Sequence, residues 1–120
     1  MENSVGVDIV DVERIRRAME NPRFLAEFFS PEERAYFAGK YHPEQSAAGV
    51  YAAKEAFSKA VGTGIRNFAL REVAVIHTEL GQPFFDLTGR AAELYGGWQF
   101  SLSISHTDTQ AVAFVLASHE

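Results

Sequence analysis

Asp8 is the first residue whose type and place suggest chemistry. It interrupts an apolar stretch, Val5-Gly6-Val7-Asp8-Ile9-Val10, where a carboxylate is costly unless paired, hydrogen-bonded or bound to a cation. On an edge strand the same acid can instead face solvent. The second feature is Tyr51-Ala52-Ala53-Lys54-Glu55-Ala56-Phe57-Ser58-Lys59. Glu55 and Lys59 are four apart and share a helix face, and Ala48 and Ala52 continue it with small side chains. Such a face either leaves room for a ligand beside its charges or forms an exposed ion pair of little energetic weight. Lys54 points elsewhere, as a solvated lysine or a phosphate contact.

Gly62-Thr63-Gly64-Ile65 lets backbone amides approach a phosphate. It follows a helix, however, and so lacks the N-terminal dipole of a phosphate-binding loop. A helix C-cap is the other reading. Ser103-Ile104-Ser105-His106-Thr107 places hydroxyls and an imidazole at a strand tip, where ligands are commonly held. No Gly-x-Ser-x-Gly elbow surrounds these serines, which argues against serine nucleophiles. His42, His77, His106 and His119 show no zinc-ligand spacing. Arg14, Arg16, Arg17 and Arg23, with Glu20 among them, make a local basic face. It is either a solvated helix side or a surface for an acidic partner.

These groups need a scaffold. A chain of 120 residues with 47% apolar content suggests one domain, 1–120, able to bury one core. The longest apolar run, Ala111–Ala117, is far shorter than a bilayer span. Met1-Glu2-Asn3-Ser4 lacks the basic and apolar regions of a signal peptide. There is no cysteine, so disulfide and thiolate chemistry are excluded. A cytoplasmic protein with no membrane contact is expected. The net charge of −5 weighs against nonspecific nucleic-acid binding.

The alternation at 5–10 predicts a strand, and Asp11 a cap for a helix reaching about Met19. Asn21-Pro22 breaks it, and Phe24, Leu25, Phe28 and Phe29 recur at helical spacing. Ser30-Pro31-Glu32-Glu33 carries a capping box. An alanine-rich helix should run from near Pro43 to about Val61 and end at Gly62. Strands follow near Arg71–His77 and Pro83–Leu87, then a short helix over Gly89–Tyr95 with Thr88 as cap. Phe100, Leu102 and Ile104 alternate with serines, His106–Thr109 turns the chain, and Ala111–Leu116 suits a covered strand. The order implies an α+β fold, a long helix packed on a small antiparallel sheet. No internal repeat or linker interrupts it.

Taken together and in order, these motifs resemble the holo-[acyl-carrier-protein] synthases, the short trimeric 4′-phosphopantetheinyl transferases. Gly6-Val7-Asp8-Ile9-Val10 with Glu13-Arg14-Ile15 is similar to their opening. Ala52–Ala60 with Gly62-Thr63-Gly64-Ile65 is similar to their signature, and Gly81-Gln82-Pro83 and Ser103–Thr107 fall in matching places. The resemblance covers essentially the whole chain.

It implies Mg²⁺-dependent transfer of 4′-phosphopantetheine from coenzyme A to a serine of apo acyl carrier protein, leaving adenosine 3′,5′-bisphosphate. Asp8 and Glu55 match the magnesium ligands. Lys59 matches a lysine near the pyrophosphate, and Gly62, Thr63 and Gly64 a loop beside the cofactor. Pro83 falls on the adenine side. His106 and Thr107 match residues that reach coenzyme A from a neighbouring subunit of a homotrimer. Arg14, Arg16 and Arg17 match the helix that docks the acidic carrier.

The chemistry suits these types: Mg²⁺ takes one or two carboxylates with phosphate oxygens and waters. Phosphoryl transfer then depends on positioning and electrostatics. Glu55, or a metal-held water that it orients, is the candidate base, and Lys59 can neutralise the leaving group. The family usually carries an arginine where Val50 stands. Its absence leaves open what holds the 3′-phosphate, with Lys40, Arg66 and Arg71 as the cations to place. A broader phosphopantetheinyl transferase and a non-catalytic coenzyme A or nucleotide-binding regulator are the alternative readings.

Overall fold

The computed structural model describes residues 1–62 and 66–120. β1 (Glu2–Asp11) leads into α1 (Val12–Ala18), α2 (Pro22–Phe28), α3 (Pro31–Ala38) and the long α4 (Pro43–Ala60). A 3₁₀ turn (Leu70–Glu72) precedes β2 (Val73–His77) and β3 (Pro83–Leu87). Then come α5 (Gly89–Tyr95), β4 (Gln99–His106) and β5 (Gln110–His119). The strands form two antiparallel sheets. One has the order β1-β5-β4, and the other is the β2-β3 hairpin. The fold is α+β, with α4 lying across the three-stranded sheet.

Small residues set how α4 meets the sheet. Ala48, Ala52, Ala56 and Ala60 are buried against Val10, Ala111, Ala113, Val115 and Ala117. At Gly6 the approach is closest, because a Cβ there would collide with the Ala56 carbonyl and stand 2.8 Å from the Ala60 nitrogen. Ser4 Oγ donates to the Ala60 carbonyl at 2.5 Å. Toward its other end α4 crosses β4, with Gly49 against Ile104. The helix therefore runs diagonally from β4 to β1.

Most local signals hold where the sequence places them, but the strand expected from Arg71 begins at Val73, after the 3₁₀ turn, and two expected caps are not made. Ser30 accepts from Glu33 N at 3.2 Å while Glu33 Oε1 accepts from Ser30 N at 2.8 Å, completing the capping box. Gly62 has φ +78°, a left-handed glycine just past the helix, and its amide donates to Lys59 O. Asp11 and Thr88 stand at the N-cap positions of α1 and α5 without making side-chain caps. The start of α5 is held instead by Glu72, whose Oε2 accepts from Arg90 N. That carboxylate also accepts from Ala69 N. It arrives from 18 residues away, beyond reach of a local motif.

The first strand faces opposite to what its apolar side chains suggest. Ser4, Gly6, Asp8 and Val10 look toward α4, while Val5, Val7 and Ile9 look outward and stay exposed. β5 pairs on both sides, yet its outer residues Phe114 and Leu116 are open at 46% and 40%. The outer rows pair Val5 with Leu116, Val7 with Phe114 and Ile9 with Val112. Ser101, Ser103 and Ser105 flank them on β4. One side of this sheet is core, and the other is an open apolar surface.

Candidate active site

Asp8 follows Gly6 on the same face of β1, so the close approach at Gly6 carries its carboxylate to the flank of α4. Its side chain is 19% exposed, and Oδ1 lies 3.0 Å from Lys59 Nζ. The same ammonium donates to the Val7 carbonyl at 2.9 Å. One turn back along α4, Glu55 Oε1 accepts from Arg66 at 2.8 Å. The two residues read as a helix pair thus take separate partners, Lys59 with Asp8 and Glu55 with Arg66. A further turn back is Tyr51, half-buried. Burial and then the negative charge of Glu55 push its phenol above the ordinary value; Asp8 adds to this, while Arg14 and Arg66 oppose it. Tyr51 therefore stays a neutral hydrogen-bond donor within the field of both carboxylates.

The donor set suits Mg²⁺. Two hard carboxylates from different elements, partly open to solvent, match the one or two that Mg²⁺ takes along with phosphate oxygens and waters. Among the described residues, no group of three or more His, Cys, Asp or Glu could hold a metal by itself. A metal here would need its remaining ligands from substrate and water.

Two expectations for this helix segment are not met. Ala48 and Ala52 are fully buried and pack on the sheet, so they open no ligand space. Lys54 is neither solvated nor a phosphate contact. Its side chain is completely buried, with Nζ 2.7 Å from Glu33 Oε1 and 2.8 Å from the carbonyls of Leu70 and Val73. Burial pushes its pKa down, and Glu33 opposes the shift.

On the opposite flank of α4 lies a cleft of about 190 Å³ bordered by Tyr36, Ser46, Val50, His77, Pro83 and His106. Ser46 and Glu55 are nine residues apart, roughly half a rotation of the helix. The rings of Tyr36 and His77 stack at 4.2 Å and 4°, and Lys40 Nζ sits 4.5 Å from the Tyr36 centroid. Burial, then Lys40, hold His77 below the usual imidazole range. Of the cations left open by Val50, Lys40 is the one at this cleft. Arg66 is on Glu55, and Arg71 lines a separate depression with Glu32, Glu72 and Asp86. Thr107 Oγ1 accepts from the amides of Thr109 and Gln110, shaping the β4–β5 turn. His106 also borders a second hollow with Ile9, Thr107 and Val112 at the rim of the open sheet face. Thr63 and Gly64 lie outside the described residues; Gly62 is the left-handed glycine that follows the C-cap Val61 of α4.

The family model of the 4′-phosphopantetheinyl transferase superfamily matches residues 4–115. A holo-[acyl-carrier-protein] synthase of Clostridium botulinum (strain Alaska E43 / Type E3) is 38% identical over 119 residues, covering 97% of each chain. The chain belongs to the 4′-phosphopantetheinyl transferases, among the holo-[acyl-carrier-protein] synthases. Solved structures agree. The crystal structure of the Neisseria meningitidis synthase matches with TM-score 0.84 at 37% identity, covering 97% of this chain and 98% of that one. The Chronobacterium ammoniagenes ACPS–CoA complex matches with TM-score 0.86 at 28% identity, covering 100% and 99%.

In this transferase the arginines of α1 are not equivalent. Arg16 is bound to Glu13 through contacts of 2.6 to 2.9 Å and lies 3.4 Å from Glu20. The hydrogen bond from Arg16 holds the Glu13 carboxyl below the usual range. Arg17 is 73% exposed and only 4.0 Å from Glu13. Arg14 is exposed on α1 and contributes to the field at Tyr51. Tyr51 and the Tyr36–His77 stack had not been singled out. Tyr51 was within reach, since it lies four residues before Glu55. The stack joins residues 41 apart, and no local pattern announces it.

Proposed function

We propose that this transferase moves 4′-phosphopantetheine from coenzyme A to a serine of apo acyl carrier protein in a Mg²⁺-dependent reaction, releasing adenosine 3′,5′-bisphosphate. The observation that carries this reading is the pair of carboxylates, Asp8 and Glu55, brought to one flank of α4 beside Lys59, Arg66 and Tyr51. Bound by Asp8 and Glu55, Mg²⁺ would supply Lewis-acid neutralisation of phosphoryl charge. The serine oxygen forms its bond to the β-phosphorus as the bond to the bisphosphate oxygen breaks. Glu55, or a water it orients, accepts the serine proton. Lys59 offsets negative charge growing on the leaving bisphosphate.

Coenzyme A enters this reading through chemistry as well as relationship, since the Chronobacterium ammoniagenes relative is a CoA complex. The cleft with Pro83, His106 and the Tyr36–His77 stack suits the adenine end, with Lys40 as the nearby cation. Within one chain, that cleft and the carboxylate pair lie on opposite flanks of α4. A complete site is therefore read as composite, His106 and Thr107 of one copy reaching the ligand held by Asp8 and Glu55 of another. The open apolar face of Val5, Val7, Ile9, Phe114 and Leu116 supports a homotrimer, because a face of this kind marks an association surface.

Arg14 and Arg17 are the charges best placed to steer an acidic carrier, and Arg16 contributes less because Glu13 neutralises it. The reading is of one transferase domain acting in the cytoplasm. Among the described residues, no helix is long and apolar enough to cross a membrane.

The test is direct. Protein, coenzyme A and apo carrier are incubated with Mg²⁺ or with chelator, and the carrier is weighed by mass spectrometry. A phosphopantetheine increment on serine, lost with chelator, is expected. Tight coenzyme A binding without any increment would favour a non-catalytic regulator instead.

A further inference from the structure

Two cations hold the two site carboxylates, and they are anchored differently. Lys59 belongs to α4 and is tied to β1 twice, through Asp8 and the Val7 carbonyl. Arg66 lies after α4, outside any helix or strand, four residues before the 3₁₀ turn at Leu70. Its side chain is 34% exposed while Glu55 is 25% exposed, so their 2.8 Å pair is partly shielded from water. A guanidinium in that position and a divalent cation would seek the same carboxylate. Two positive centres a few ångströms apart in a partly desolvated site repel strongly. A planar guanidinium also has a second natural partner, because its donor fork matches phosphate oxygens.

We propose that Arg66 is an exchangeable counter-ion of Glu55 that couples metal binding to phosphate binding: it competes with the divalent cation in the free enzyme and moves to a phosphate when a pyrophosphate-bearing ligand enters. The inference rests on the reading of Asp8 and Glu55 as metal ligands. In the free protein, Arg66 neutralises Glu55 and lowers its affinity for metal. A pyrophosphate draws the guanidinium away and frees the carboxylate for the cation. Coupling of this kind is reciprocal, so metal must tighten the phosphate ligand by the same factor. Arg66 is thus a positioning residue, acting through Glu55. The Arg66–Glu55 contact is made by side chains alone, so the exchange needs side-chain rotation rather than a change of fold.

The test uses the full chain and Mn²⁺ as a paramagnetic substitute, with free Mn²⁺ read by electron paramagnetic resonance in the presence and absence of coenzyme A. For the natural chain, coenzyme A should tighten Mn²⁺ by about tenfold or more. In R66Q, Mn²⁺ should bind the free protein several-fold tighter than in the natural chain, and the coupling factor should shrink several-fold. R66K keeps the charge but not the fork and should fall between the two. Thermal melting of both variants checks that the fold is intact. Unchanged or weaker Mn²⁺ binding by free R66Q, with normal coupling, would overturn the exchange while leaving the metal site standing. D8N and E55Q separate the two ideas. If Mn²⁺ binding by the natural chain is insensitive to both, or absent, the metal reading falls and the exchange falls with it.

Discussion

Lys54 and Glu55 are neighbours on α4, and each is half of an ion pair, yet the pairs do opposite things. Lys54 with Glu33 is sealed in the core, both side chains at 0% exposure, and every donor of the ammonium has a partner. Glu33 in turn accepts from Ser30 N and Val75 N, so one carboxylate ties α3, α4 and the β2 strand together. Glu55 with Arg66, and Asp8 with Lys59, sit at the surface with room to change partners. A buried pair is hard to break because the remaining charge has no water to turn to. A half-open pair costs little to exchange, which is what a site for metal and phosphate requires. Adjacent residues of one signature segment thus divide into a sealed structural member and a partly open one, to which the proposed function assigns the chemistry.

The sharpest way to break this contrast is K54M. It removes the counter-ion of Glu33 in the core, and should cost about 3–5 kcal/mol of stability, read from urea unfolding. A loss below about 1 kcal/mol would mean that the buried pair does not hold the fold. E55Q should instead keep the unfolding midpoint while transfer to apo carrier falls by about 10²–10³-fold, the range for losing one preorganised electrostatic contact. Near-normal Mg²⁺-dependent activity would remove Glu55 from the centre.

G6A lies between the two pairs in kind. Its methyl group meets the Ala56 carbonyl, and the overpacking should cost about 1–3 kcal/mol. Because β1 would be lifted from α4, transfer should drop as well; a normal melt with normal activity would show that the close approach is dispensable. The smallest effect belongs to the exposed arginines. R14E with R17E should raise KM for the carrier several-fold at low salt and much less at high salt, since exposed charges are screened within about 10 Å at 0.1 M. R16E should do less, because Glu13 already neutralises Arg16. An unchanged KM in the double variant would take α1 out of carrier docking.

Much of this molecule was legible along the chain. The capping box at Ser30–Glu33, the glycine stop at Gly62 and the alternation in β1 and β4 are local patterns, carried by residues within a turn or a pleat of one another. The order of motifs pointed to the family because those motifs keep their separation in sequence. What was not legible was direction. The alternation of Val5, Val7 and Ile9 identifies a strand but not which side meets the core. The contact of Gly6 with Ala56 turns Asp8 inward and Val5, Val7 and Ile9 outward. The stripe of Ala48 and Ala52 could equally line a ligand or a sheet, since small side chains serve both.

By itself, then, the sequence determined the elements, their order and the residue types available for chemistry, because propensity, capping and periodicity act over a few residues. The tertiary structure decided partners: Lys54 with Glu33, Asp8 with Lys59, Glu55 with Arg66, and the cleft of His77 and Pro83 on the far flank of α4. Those pairings depend on which faces the packing of α4 on β1 brings within about 3 Å, the range where charge and hydrogen bonding take effect. No spacing along the chain encodes that distance.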